Sequence, residues 1–128
     1  MYNQMVVYEL SDAEVDRIFH ALADATRRDI VRRTVVGEAS VSDLAADYEM
    51  SFAAVQKHVA VLESAGLVTK RAEGRQRLVR ANPATIRRAR SLLAVYEQLW
   101  RARVDRLDDL FAEQRTEDRA EDRENPGD

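Results

Sequence analysis

The chain has 128 residues, of which 45% are hydrophobic and 34% are charged, with a formal net charge of -3 and no cysteine. This length can bury one modest core, so we expect one folded domain. The lack of cysteine excludes disulfides and thiolate metal sites. There is no apolar run long enough to span a membrane and no basic flank before the apolar segment MVVY that would suit a signal peptide, so we expect a cytoplasmic protein without a membrane anchor.

The first third of the chain predicts two helices. Ser11 and Glu14 have the spacing of a capping box, and apolar residues then recur at helical spacing, which predicts a first helix over about 12–23. Asp24 is expected to cap a second helix. That helix should end at Gly37, since a residue without a Cβ suits the left-handed conformation of a helix C-terminus.

Residues 42–66 have the pattern of a helix-turn-helix. Ser42 is predicted to cap a short third helix, and Ser51 a fourth that ends at Gly66. The fourth helix has an apolar stripe of Val55, Val59 and Leu62 on one face. Its other face has small and polar residues that suit a DNA major groove. The predicted DNA contacts of this recognition helix are Ser51, Phe52, Ala53, Gln56, Lys57 and His58.

Two alternatives stay open on this helix. Gln56 and Lys57 are either DNA ligands or ordinary solvent-facing residues. His58 lies at the edge between the two faces, so it either contacts DNA or packs and forms local hydrogen bonds.

A basic hairpin is predicted after the fourth helix. Residues 67–71 and 76–80 alternate like strands around the turn pair Glu73-Gly74, giving a wing over about 67–81. Residues 57–90 contain nine basic side chains and only two acidic ones, whereas residues 105–128 contain ten acidic and four basic ones. Because phosphate contacts are local, a basic patch on a mildly acidic protein still indicates DNA binding. The predicted phosphate ligands are Lys70, Arg71, Arg75 and Arg77.

The last predicted helix covers about 83–113, after an Asn82 cap and with Pro83 at its first position. Ile86, Leu93, Trp100 and Leu107 are seven residues apart, and further apolar residues lie beside them. A small domain cannot bury so long a stripe, so we expect a homodimer that packs through the first and last helices. The alternative is a stripe folded back within the monomer. The predicted dimer interface comprises Ile18, Leu93, Tyr96, Trp100, Val104 and Leu107.

The sequence therefore predicts a mainly α fold with a small β-hairpin wing, that is, a winged helix-turn-helix of about five helices. Its DNA-binding and dimerisation domain would cover residues 1–111. Residues 114–128 are charged and nearly devoid of large apolar groups, so we predict a disordered tail there.

The segments FHALADATRRDIV and SVSDLAADYEMSFAAVQKHVAVLESAGLVTKRAEGR resemble the ArsR/SmtB family of bacterial winged helix-turn-helix repressors. The resemblance covers roughly residues 12–100. It implies a homodimer that binds two inverted half-sites on DNA, represses transcription and releases DNA when an effector favours another dimer geometry.

The chain departs from the family at its metal site. The positions that match the family's metal-binding cysteines are Ser40 and Ser42, and the last helix has no histidine. Soft metals need thiolate or imidazole ligands, so we expect neither a metal nor another cofactor. An organic effector near Tyr96 and Trp100 is one alternative for regulation, and a plain dimer core at those residues is the other.

We therefore expect a sequence-specific DNA-binding repressor whose partners are double-stranded DNA and a second copy of the chain. A winged-helix module that binds an acidic protein partner is the second interpretation. An enzyme is not expected, because the sequence has no nucleophile and base pair and no phosphate-binding glycine-rich loop.

Overall fold

The elements follow the predicted order, with one additional short strand. A computed structural model describes residues 10–124, and within that range it has five helices and three strands. They are α1 Asp12–Leu22, α2 Ala25–Val36, β1 Ala39–Ser40, α3 Val41–Ala46, α4 Phe52–Ser64, β2 Val68–Glu73, β3 Gln76–Ala81 and α5 Pro83–Glu124. The predicted winged helix-turn-helix is confirmed. The chain divides into two compact units, with the boundary between Leu92 and Leu93.

The first two helices begin where the capping residues predict. The Ser11 hydroxyl accepts a hydrogen bond from the Glu14 amide, and the Glu14 carboxylate accepts one from the Ser11 amide, both at 3.1 Å. The Asp24 carboxylate accepts a hydrogen bond from the Arg27 amide at 3.0 Å. Each cap provides an acceptor for amides that have no partner within the helix, which is why the chain turns helical at these positions.

Two predicted helix ends are wrong in detail. α3 is capped by Ser40, not by Ser42, because Ser40 has Asp43 three residues later and the two form a reciprocal capping box. Ser42 has Ala45 at that position, which cannot return the hydrogen bond. Gly37 has a φ of -172°, which is extended and not left-handed, since the chain runs on from it toward strand β1.

The sheet has the order β1-β3-β2, with both pairs antiparallel. β2 and β3 form the predicted hairpin, in which Glu73 pairs with Gln76 and Gly74 takes a positive φ of 59° in the turn. Strand β1 pairs Ala39 with Val79 and Ser40 with Leu78. The sequence did not predict β1, because two residues are too short to show the alternation of a strand.

One hydrophobic core is shared by helices α1, α2, α3 and α4, the base of the wing and the start of α5. Its largest buried side chains include Ile18, Ile30, Leu44, Val55, Val59, Leu62, Leu67 and Val79. Ala89 and the half-buried Ile86 of α5 belong to the same core. Ile18 is only 1% exposed and lies in this core, so its place at a dimer interface stays a prediction. Helix α1 packs on α2 and α4, while Phe19 on the same helix is 36% exposed.

The second unit is the helix from Leu93 onward. Its large apolar side chains are mostly exposed, namely Leu93, Tyr96, Leu99, Trp100, Leu107, Leu110 and Phe111. The helix continues to Glu124, so the disorder predicted from residue 114 is not found in residues 114–124. This stretch contains three Glu and three Arg, which favour helix without any packing, and Gln114 donates a hydrogen bond to Asp118 at 3.1 Å. Residues 125–128 lie outside the described part of the chain.

A hydrogen-bonded cluster ties α2 to the turn between α3 and α4. The Tyr48 hydroxyl donates to the Asp29 carboxylate at 2.6 Å, and Arg33 donates to Asp47 at 2.7 Å. The Arg33 guanidinium also lies 5.5 Å from the centre of the Tyr48 ring. The bond from Tyr48, with a further one from Arg32, lowers the pKa of Asp29, while burial and the same bond raise the pKa of Tyr48. The turn that positions α4 is therefore fixed to α2.

Replacing Tyr48 tests this cluster. We expect Tyr48→Phe to lower the free energy of unfolding by about 1–2 kcal/mol, because it removes a hydrogen bond to a charged acceptor. The pKa of Asp29 is depressed below its ordinary value of 3.8 in the fold. The bond therefore contributes its full stability above that value and loses it as the pH falls through the depressed pKa.

Urea unfolding of the wild type and Tyr48→Phe from pH 3 to pH 7 measures both effects. Ser42→Ala, which removes an exposed hydroxyl from the neighbouring helix α3, is the control and should unfold like the wild type. A difference between wild type and Tyr48→Phe that stays constant down to pH 3 would exclude Asp29 as the charged acceptor.

Candidate nucleic-acid interface

Helix α4 has one buried face and one exposed face, as its sequence predicts. Ser51 caps it by accepting a hydrogen bond from the Ala54 amide at 3.1 Å, and Val55, Val59 and Leu62 are buried in the core. Ala53, Gln56, Lys57 and Ala60 are exposed. Because the buried stripe fixes the rotation of the helix, the small and polar residues point away from the core together.

Phe52 stands at the first position of α4 with 47% of its surface exposed. A large apolar side chain at the exposed N-terminal end of a helix gains little from the monomer's own core. It is placed beside the capping residue and the first turn, where a recognition helix meets base edges. Apolar contact with thymine methyl groups is the chemistry that this side chain offers.

His58 is held by the fold. It is half-buried, and its Nδ1 lies 3.3 Å from an Arg27 nitrogen. Arg27 also donates hydrogen bonds to the carbonyl oxygens of Ala21 at 2.7 Å and His20 at 3.1 Å, at the C-terminal end of α1. Since a guanidinium only donates, Nδ1 accepts and the ring proton is on Nε2. The contact links α1, α2 and α4, which favours the local hydrogen-bonding interpretation of His58.

The four basic residues predicted on the wing differ in their partners. Lys70 is 3.5 Å from Glu63 at the end of α4, and Arg71 pairs with Glu38 at 2.9 Å and with Glu73 at 3.0 Å. The bond to Glu38 raises the pKa of Arg71 and lowers that of Glu38. Within residues 10–124, neither Arg75 nor Arg77 has a carboxylate within 4.0 Å. Among these four residues, Arg75 and Arg77 therefore keep the charge that is available to an external anion.

The register of the hairpin places these two arginines. Lys70 pairs with the buried Val79, and Ala72 pairs with Arg77, so Arg77 lies on the core-side face of the hairpin, which Lys70 shares. Arg75 lies in the turn between the strands. The Lys70–Glu63 pair sets strand β2 beside the end of α4. The wing and the recognition helix are thus neighbours within one unit, joined by residues 65–67.

Some residues that position the interface were not singled out from the sequence. Arg27 joins three helices, and Glu38 and Glu63 neutralise two of the wing's basic residues. The signals for Arg27 were its place three residues after the Asp24 cap and its position in the segment FHALADATRRDIV that resembles the family. No local pattern could indicate Glu38, because it meets Arg71 from 33 residues away in the chain.

Two absences hold for the part of the chain that the structure describes. Residues 10–124 contain no group of three or more His, Asp or Glu side chains arranged to hold a metal ion. No helix in that range is long and apolar enough to cross a membrane.

Comparison with known proteins identifies relatives of this architecture. Residues 22–71 match a family described as a helix-turn-helix domain. The chain is 44% identical over 68 residues to the HTH-type transcriptional regulator Rv2034 of Mycobacterium tuberculosis. That match covers 53% of this chain and 64% of the relative, so the chain spans somewhat less than two thirds of that protein.

Solved structures extend the likeness to most of the fold. The crystal structure of the ArsR family transcriptional regulator RHA00566 is 32% identical, with a TM-score of 0.68, and the match covers 72% of this chain and 95% of that one. The homodimeric winged helix-turn-helix DNA-binding domain of Mb0332 from Mycobacterium bovis, solved by NMR, is 26% identical, with a TM-score of 0.56 and coverage of 70% and 89%.

Proposed function

The chain belongs to the ArsR family of transcriptional regulators, and from this premise we propose that it is a homodimeric repressor that binds an inverted-repeat operator. The observation that carries the proposal is the exposed face of α4, where Gln56 and Lys57 project from a helix whose rotation and N-terminus are fixed. A glutamine side chain can form two hydrogen bonds to an adenine edge, and a lysine can reach guanine or a phosphate. Such a role at DNA places the protein in the cytoplasm.

The wing supplies the sequence-independent part of binding. Arg75 and Arg77 carry charge that no carboxylate in residues 10–124 neutralises, so they are the phosphate ligands we expect to contribute most. Lys70 and Arg71 already pair with Glu63 and Glu38. A phosphate must therefore replace these carboxylates or bind the basic side chains beside them. We therefore expect their contribution to affinity to be smaller.

The dimer is proposed to form through α5. Leu93, Tyr96, Trp100 and Leu107 remain exposed on one stripe of this helix, and Val104 between them is half-buried. A contiguous apolar stripe of this length is an interaction surface in a soluble protein. The similar domain of Mb0332 is homodimeric, which supports a second copy of this chain as the partner. Two copies about a two-fold axis would present two recognition helices to two inverted half-sites.

Selection of bound sequences from a random duplex DNA pool tests the proposed function. We expect enrichment of an inverted repeat whose half-site centres are about 10 bp apart or a multiple of that distance. The Gln56→Ala, Lys57→Ala double variant should abolish the enrichment, because it lacks the side chains proposed to contact bases. Gln98→Ala, at an exposed position of α5, is the matched control and should select the same repeat. No enrichment by the wild type would favour the protein-binding module instead.

The salt dependence of DNA affinity tests the ranking of the wing residues. Arg75→Gln with Arg77→Gln should lower the slope of log affinity against log salt by about 0.9 for each phosphate that is no longer neutralised, and should weaken all sequences alike. Arg71→Gln is the matched control and should change the slope less, since Glu38 and Glu73 already pair with it. Fluorescence anisotropy at several salt concentrations measures both slopes. A larger effect from Arg71→Gln would refute the ranking.

Sedimentation equilibrium tests the dimer. Trp100→Glu places a charge in the exposed apolar stripe and should weaken self-association by at least about thirtyfold, as expected for a central interface residue. Val36→Glu is the control, because Val36 is 85% exposed and belongs to α2, which is not part of the proposed interface. A wild-type monomer, or a Trp100→Glu protein that dimerises as the wild type does, would contradict the proposed interface.

A further inference from the structure

Two adjoining cavities lie between α1 and the C-terminal half of α4, and the larger one reaches Ala60 on the exposed face of α4. The larger, of about 330 Å³, is open and is lined by Arg17 and His20 of α1 and by Ala60, Val61 and Ser64 of α4. The smaller, of about 120 Å³, has Leu10, Arg17, Ser64, Gly66, Thr85 and Arg88 among its lining residues. Because Arg17 and Ser64 line both cavities, the two adjoin at these residues, and together they are called the groove.

The smaller end of the groove contains a donor without an acceptor. Arg88 Nε is buried, and no hydrogen-bond acceptor among the described residues reaches it. The side chain is held in place, since Arg88 donates to the Thr85 hydroxyl at 3.2 Å and that hydroxyl donates to the Gly66 carbonyl at 2.7 Å. A buried N–H without a partner is costly. Because less than 1 Å² of Nε is accessible, any bond to an occupant of the cavity comes from the other nitrogens of the Arg88 guanidinium.

The charged residues around the smaller cavity favour a ligand with a single negative charge. Arg17 and Arg88 are cationic, and Glu14 is the acidic residue among those that line the smaller cavity. The Glu14 carboxylate is engaged by hydrogen bonds with Ser11, which lower its pKa more than the two arginines do. Within residues 10–124, neither arginine comes within 4.0 Å of a carboxylate. The smaller cavity therefore has two guanidinium groups and one carboxylate that is already hydrogen-bonded. This balance leaves one positive charge for a ligand with a single negative charge.

The larger end is apolar in character. Ala60 and Val61 contribute methyl groups to it, and Ser64 adds a small side chain. Cavities of a few hundred Å³ with an apolar lining and a few convergent polar groups are typical of small-molecule sites.

We propose that this groove binds a small organic carboxylic acid. Its carboxylate lies at the Arg17 and Arg88 end, where the two guanidinium groups line the cavity, and its apolar body lies over Ala60 and Val61. The two ends together select for an amphipathic monoanion over either an inorganic anion or an uncharged apolar molecule.

The position of the groove gives such a ligand a way to affect DNA binding, and this step alone rests on the proposed function. Ser64, Ala65 and Gly66 all line the smaller cavity and connect α4 to the wing. Gly66 has a positive φ of 75°, and a Cβ there would lie 3.3 Å from the Thr85 hydroxyl. A ligand in the smaller cavity therefore contacts the residues at which the recognition helix, the wing and the start of α5 pack closely together.

An NMR titration of the full chain with octanoate, without DNA, tests the site. We expect saturable shifts of amide signals around residues 17, 64–66, 85 and 88. Acetate lacks the apolar body and 1-octanol lacks the charge, so both should bind at least about tenfold more weakly. Equal binding of octanoate and 1-octanol, or no octanoate binding, would overturn the proposal. Neither result would affect the proposed function, because the readout does not involve DNA.

Variants locate the binding. Arg88→Met and Arg17→Met should each weaken octanoate binding about tenfold, since each removes a charged hydrogen-bond donor. Arg17 is exposed, so its variant keeps the fold even if Arg88→Met is less stable. Arg87→Met, at an exposed neighbouring position on α5, is the matched control and should bind as the wild type does. Octanoate affinity that is unchanged in both Arg17→Met and Arg88→Met would show adventitious binding elsewhere and would refute the site.

Discussion

The burial of one stripe of α4 is the constraint on which the interface depends. Val55, Val59 and Leu62 are each almost completely inaccessible to solvent. Rotating the helix would expose them, at a cost of roughly 1.5–3 kcal/mol for each aliphatic side chain. Their burial therefore decides that Gln56 and Lys57 point outward. The Tyr48–Asp29 hydrogen bond then fixes the turn before α4, and the Arg27–His58 contact fixes its middle against α1 and α2.

Charge pairing within the fold determines which basic residues remain available. A count of Lys and Arg treats all the wing residues alike, but Glu38 and Glu63 lie close enough to pair with Arg71 and Lys70. Arg75 in the turn and Arg77 on the core-side face have no such partner in residues 10–124. The proposed phosphate contacts are consequently fewer than the sequence suggests, and they lie on one part of the hairpin.

The long helix α5 serves two purposes along its length. Ile86 and Ala89 complete the core of the first unit, whereas the apolar residues from Leu93 to Phe111 are mostly exposed. The same heptad spacing runs through both parts, so the sequence pattern does not reveal where one role ends. The proposed dimer uses the second part. The groove proposed to bind a carboxylic acid uses Thr85 and Arg88 in the first part, so one helix would connect ligand, core and partner.

The sequence by itself determined the order of the helices, the wing and the exposed face of α4. It also determined the helix caps at Ser11, Asp24 and Ser51. Each of these features depends on residues within a few positions of one another. It showed no sign of strand β1, and it did not show that Ile18 would be buried in the core of the monomer. It also could not show that Glu38 would pair with Arg71, or that Arg88 Nε would be buried without an acceptor. Only the tertiary structure decided these, because each arises from groups that are distant in the chain and meet when the elements pack.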